Sequence, residues 1–176
     1  MFAKLFAIAT LALTAATYPL YKQCDARWKA DQLGTSSKTI CQAGCLMSSV
    51  SMVLADCGKT IDGATTTPKN FNTWLKHNGG YASGDLFVWG SVSKLGLSFV
   101  TKTSTHSQIE SYFKEGKAVI LNVNNGGHWV LMTGISTDSY HVNDPGFDRA
   151  SYPKSGVVTA AIYSRPSGCK SLFELE

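Results

Sequence analysis

The hydrophobic period of this 176-residue chain changes once, near Gly96, and that change limits the folds open to it. Before it, Leu46, Val50, Val53 and Cys57 recur at spacings of 4, 3 and 4, which predicts a helix burying one stripe, with Ser48, Ser49 and Ser51 mostly off it and Gly58 as its stop. Thr67-Pro68 supplies an N-cap followed by proline at the first helical position. Phe71, Trp74 and Leu75 then give a second short apolar face that ends at Gly79-Gly80. A third helix is expected over residues 87–94. After Gly96, residues 97–101 read as a strand and residues 107–115 as a helix stopped by Gly116. Residues 118–123, 128–135, 139–143 and 156–163 are rich in Val, Ile, Leu and Tyr, and turn residues separate them. Short connections make such strands antiparallel neighbours. Helices first and strands later predict an α+β domain: an N-terminal helical half packed against a C-terminal twisted antiparallel β-sheet.

Residues 1–17 stand apart from that pattern. Lys4 precedes an apolar run over residues 5–16 that ends in small residues, the form of a secretory signal with the folded domain over residues 18–176. The run falls short of the ~20 apolar residues a membrane helix needs, and no later stretch approaches that length. The net charge is +4, so without Lys4 the domain carries +3, and its basic residues are scattered rather than interleaved with aromatics. Such a surface is solvated and gives no nucleic-acid groove.

A secreted location gives the cysteine count its weight. Cys24, Cys41, Cys45, Cys57 and Cys169 are odd in number, so in an oxidising compartment one thiol is left over. If Cys45 is that thiol, the other four allow three pairings. The preferred one joins Cys24 to Cys41, pinning the segment before the helix, and Cys57 to Cys169, tying the helix end to the C-terminus. No metal is expected, because Cys41-x3-Cys45 has no matching His or Cys pair downstream.

Cys45 directly follows Gly44 and opens the first apolar helix. Unpaired backbone N–H groups and the helix dipole favour negative charge at such an end, so a thiolate is favoured there. Cys41, the rival nucleophile, neither follows a glycine nor opens that run. Far downstream, His128 starts one strand of a predicted hairpin and Asp144 ends the other. With a three-residue turn at Ser136-Thr137-Asp138, His128 faces position 146 and Asp144 becomes its same-face diagonal neighbour, about 7 Å away between Cβ atoms; a two-residue turn would break that parity. A carboxylate so placed can hold an imidazole and favour its charged form. His141 has the opposite parity, and His77 and His106 lie in polar stretches, so these three read as structural.

Taken in order, three pieces resemble a known family: Gly44-Cys45 with its small-residue helix through Met52-Val53-Leu54, Gly127-His128-Trp129-Val130-Leu131, and Asn143-Asp144-Pro145-Gly146. They are similar to the papain-like cysteine peptidases of the bacteriocin-processing, double-glycine leader type, and more closely to the stand-alone relatives of that group. The resemblance runs over about residues 21–163 and includes Gln23, Trp28, Gly34, Asn72, Trp74, Leu75 and Gly79-Gly80-Tyr81. It implies a papain-like fold and a cysteine peptidase or amidase that works through a thioester without a cofactor. It also implies Cys45 as nucleophile, His128 as general base and acid, Asp144 as the residue orienting it, and Gln23 as an oxyanion-hole donor. The chemistry agrees, since attack on an amide carbonyl makes an oxyanion that the Gln23 amide and the Cys45 N–H could stabilise. Gln23 lies further ahead of the nucleophile than in the leader-processing enzymes. No Gly-rich Lys-Ser/Thr loop accompanies the domain, so a double-glycine leader is not the expected substrate.

The expected partner is a peptide or protein substrate, met by a monomer. A cell-wall endopeptidase acting on peptidoglycan peptides would use the same residues. A secreted binding or structural module could keep the same fold with an idle site. Tyr81, Trp89, Trp129 and Phe147 are candidates for apolar cleft walls, and equally for core.

Overall fold

In the computed structural model, the described residues are 18–169, together with the backbone of two short paired strands, Leu13–Ala15 and Phe173–Leu175. The expected signal segment, residues 1–17, lies outside them apart from the first of those strands.

Thr39 and Gln42 form a capping box that starts the single-turn helix α1 (Ile40–Ala43). Gly44 ends it and immediately starts α2 (Cys45–Asp56). Only glycine fits this junction, because a Cβ on Gly44 would lie 2.5 Å from the Ile40 carbonyl oxygen. The expected one-sided stripe on α2 is too narrow. Its residues from Met47 to Leu54 are all buried, including Ser48, Ser49 and Ser51, because the helix sits between the sheet and helix α3 (Pro68–His77). The Ser51 hydroxyl donates to the Ser48 carbonyl oxygen (2.7 Å), which lets it lie against apolar neighbours without losing its hydrogen bond.

Residues 87–94 are not a helix. Leu86–Phe87 pairs with Tyr81–Ala82 as a small hairpin, and a 3-10 turn follows at Ser91–Leu95. Trp89, between them, packs against Phe87, Phe99 and Trp129 instead of continuing a helical face. Helix α4 (His106–Lys114) fills the later helical position.

Six strands form the main sheet: β1 (Ser98–Thr103), β2 (Ala118–Val123), β3 (His128–Ile135), β4 (Ser139–Asn143), β5 (Ser151–Pro153) and β6 (Thr159–Ser164). All neighbours are antiparallel, in the order β5-β4-β3-β2-β6-β1. β2 lies near the middle with every residue buried. The last strand starts at Thr159 rather than near residue 156, because Lys154–Gly156 forms a 3-10 turn, and β5 is an addition to the expected set. Helical and sheet halves thus meet along α2 and β3 in an α+β fold.

Disulfides join Cys24 to Cys41 and Cys57 to Cys169. The first pins the loop before α1; the second ties the end of α2 to the C-terminal segment. Among the described residues no helix is long and apolar enough to cross a membrane.

Candidate active site

Cys45 is the free cysteine and the first residue of α2, half-buried where the helix end meets β3. Its backbone N–H belongs to the first helical turn, whose amides have no partner within the helix. The side chain lines two clefts, one bounded by Gln23, Asn124, His128, Gly146 and Phe147, the other by Leu33, Tyr81, Phe87, Trp89 and Trp129.

His128 and Asp144 meet through two compensating departures from the simple hairpin. Ile135 pairs with Tyr140 and the Ser136 N–H donates to the Ser139 carbonyl (2.9 Å), so the turn has two residues and by itself puts Asp144 on the wrong face. The register then slips at Thr133, and Met132 pairs with Val142 and Leu131 with Asn143. That one-residue bulge restores the parity. His128 Nε2 lies 2.7 Å from Asp144 Oδ1, with the two residues only 6% and 1% exposed. Nδ1 is then the ring nitrogen available to the thiol side.

The carboxylate is held at both oxygens. Oδ1 also accepts from the backbone N–H groups of Gly146 (2.8 Å) and Phe147 (3.0 Å), an Asx-type turn at Asp144-Pro145-Gly146. Oδ2 accepts from the hydroxyl of Tyr152 on β5 (2.7 Å). Burial opposes ionisation of Asp144, but the hydrogen bonds from His128, Tyr152 and the two amides outweigh it and hold the carboxyl below its ordinary value. For His128, burial disfavours the charged ring, but the Asp144 hydrogen bond and the interaction with Cys45 prevail and push its pKa up to about 9. Tyr152, buried and bonded to a carboxylate, is pushed up to about 12 and so remains a donor. Nothing in the sequence pattern singles out Tyr152, because β5 is too short to register as a strand. Gly146 has a steric reason of its own, since a Cβ there would lie 2.8 Å from His128 Cε1.

Gln23 is buried beside this pair. Its backbone N–H donates to the Pro145 carbonyl (2.8 Å) and its side-chain Nε2 to the Cys41 carbonyl (2.5 Å). One Nε2 hydrogen remains, and Oε1 finds no hydrogen-bond partner among the described residues. The Cys24–Cys41 disulfide flanks Gln23 on one side and supplies its acceptor on the other. Phe147 lies edge-on to His128 at 5.1 Å and is 55% exposed, while Trp129 is half-buried against Trp89. Their faces are therefore not all core. His141 bonds Ser136 (2.6 Å) and His106 meets the Tyr140 hydroxyl (3.1 Å), both away from Cys45. Among the described residues no group of three His, Cys, Asp or Glu could hold a metal ion.

Against known proteins, the profile of the Peptidase_C39-like family matches residues 16–164. The chain belongs to this family. A solved structure from Bacillus anthracis, of a protein classed as a C39-like peptidase, superposes with a TM-score of 0.53 at 17% identity, covering 89% of this chain and 99% of that one. At that identity the likeness speaks for the fold alone. No curated protein matches the chain. The C39-like assignment makes the chain a relative of the papain-like cysteine peptidases, and the mixed α+β architecture agrees with it.

Proposed function

We propose that the protein is a secreted cysteine peptidase or amidase whose catalytic groups are Cys45, His128 and Asp144, with Gln23 in the oxyanion hole. The observation that carries this reading is the buried His128–Asp144 pair on a cleft that also contains the one free cysteine, at a helix start.

In this mechanism the Cys45 thiolate attacks the amide carbonyl carbon, forming a C–S bond and a tetrahedral oxyanion. The Cys45 backbone N–H and the free Nε2 hydrogen of Gln23 donate to that oxygen. His128, held in its charged form by Asp144 and Cys45, gives its proton to the leaving nitrogen as the C–N bond breaks. The neutral imidazole then takes a proton from water, hydroxide attacks the thioester, and the acid leaves with Cys45 regenerated. Asp144 keeps its negative charge throughout, orienting the ring and stabilising the imidazolium.

Secretion is supported by the two disulfides and by the charged-then-apolar pattern of residues 1–17. A peptide-library digestion and a peptidoglycan digestion, each with wild type and Cys45→Ala, test the function. Cleavage of library peptides that disappears in Cys45→Ala is the expected result. Hydrolysis confined to peptidoglycan would make the enzyme a cell-wall endopeptidase. No hydrolysis of either, with the fold intact, would leave a binding module.

A further inference from the structure

We infer that Lys22 is a positioning residue for the catalytic pair: its ammonium clamps the loop after β4, and that loop keeps Asp144 and His128 in register. This role rests on the catalytic reading above and deepens it, because Lys22 acts through Asp144 and not on the substrate.

The clamped loop has little support of its own. Residues 144–150 form no helix or strand, and 146–150 are exposed. Yet the acid–base pair depends on the path this loop takes. The Gly146 and Phe147 N–H groups hold Asp144 Oδ1 at 2.8 and 3.0 Å, Gly146 lies directly against the imidazole, and the Phe147 ring stands edge-on to it at 5.1 Å. An exposed irregular segment opens readily unless contacts from outside fix it.

Lys22 supplies those contacts. An ammonium has three donors, and here all three point at five consecutive residues: Nζ lies 2.6 Å from the Phe147 carbonyl oxygen, 3.1 Å from that of Asp144 and 3.0 Å from Asp148 Oδ1. Asp148 is fully exposed, so that ion pair adds little. The two charge-assisted bonds to main-chain carbonyls, one at each end of the Asx-type turn, set its path. The other end of the clamp is firmly held. The Lys22 carbonyl accepts from the Asp25 N–H (3.1 Å) and from the indole of Trp28 (2.8 Å), which is only 2% exposed and packs against Tyr21. Next along the chain, Gln23 N–H donates to the Pro145 carbonyl and Cys24 is bridged to Cys41. Residues 22–24 are therefore the fixed side, and the loop is what they hold. The titratable groups acting on His128 are Asp144 and Cys45, and Tyr152 reaches Asp144 from β5. Lys22 meets Asp144 at its main chain, so its influence on the imidazole is mechanical.

That distinction gives the test its sign. Proton titration of His128, followed by NMR at the imidazole Cε1–H, is compared in wild type and Lys22→Met, which keeps the length of the stem. Losing a positive charge without movement would raise the proton affinity of His128, whereas loosening Asp144 lowers it. A fall of at least about threefold is expected. With a library peptide that wild type cleaves, kcat should drop about 10–10²-fold while KM stays within about twofold. In an Asp144→Asn background the same change should cost less than about twofold more, since the two residues act as one unit. Lys22→Gln carries the same comparison if Lys22→Met does not fold. An unchanged or raised proton affinity would overturn the inference, and so would an equal loss of kcat with and without Asp144. If wild type cleaves no peptide but His128 still loses proton affinity in Lys22→Met, the catalytic reading fails and the clamp stands.

Discussion

Asp144 shows how much of the site depends on single atoms. Each of its carboxylate oxygens is filled by donors that the fold supplies, and together with Cys45 it outweighs burial and raises His128 to about 9. Replacing it with Asn removes one of the two groups that oppose burial, so the basic limb of kcat/KM against pH should move below 9 in Asp144→Asn, with kcat lower by about 10²–10⁴. A limb that stays near 9 would mean that Asp144 does not set the ring's charge. Tyr152→Phe leaves buried Oδ2 without its donor and should cost about 1–3 kcal/mol in urea unfolding. Because Asp144 is held below the ordinary carboxyl pKa, its stabilisation is present above that ordinary value and is lost as pH falls through the lower folded value. Acid unfolding of Tyr152→Phe should therefore begin at a higher pH than in wild type. Cys45, His128 and Asp144 were all legible as candidates because glycine, helix start and hairpin parity are local signals. Tyr152 was not, because its importance comes only from being brought across the sheet to Oδ2.

Among the elements, the β3–β4 hairpin shows why a sequence can suggest the right pair by the wrong route. A three-residue turn puts Asp144 beside His128; the chain instead uses a two-residue turn and a bulge at Thr133, and the two departures cancel. Neither is announced by composition, since Thr133 reads as an ordinary strand residue. Segment 86–95 was illegible for a related reason: its aromatic residues suit a helix face as well as a wall, and only the packing of Trp89 on Phe99 and Trp129 decides. By contrast β2, β3 and β4 and the helix beginning at Cys45 were readable from strong local periods. The loop after β4 carries its own prediction. In Gly146→Ala the new methyl would lie 2.8 Å from His128 Cε1 and push the ring off Asp144, so kcat should fall about 10²-fold and the unfolding midpoint should also drop as the buried pair loosens. Gly44→Ala should act on the fold, costing about 2 kcal/mol of stability because its Cβ meets the Ile40 carbonyl.

For the molecule as a whole, the disulfides and the charged pair set the conditions under which the fold survives. Cys57–Cys169 spans 112 residues, and removing it as the Cys57→Ala/Cys169→Ala double variant should cost about 2–5 kcal/mol by denaturant unfolding. His128 contributes in the opposite pH range to Asp144. Its pKa rises from 6.5 to about 9 on folding, so its stabilisation is full below about 6.5 and disappears as pH climbs through about 9. Wild type should therefore lose stability between pH 6.5 and 9, and His128→Ala should lack that slope. If Cys45 and His128 act as one ionised unit, alkylation of Cys45 by a small thiol reagent at pH 6 depends on the imidazole. At that pH a free cysteine thiol is almost wholly protonated. Labelling at least about tenfold faster than that of a free thiol is expected in wild type and is lost in His128→Ala; equal rates in the two proteins would mean that His128 does not hold Cys45 as a thiolate.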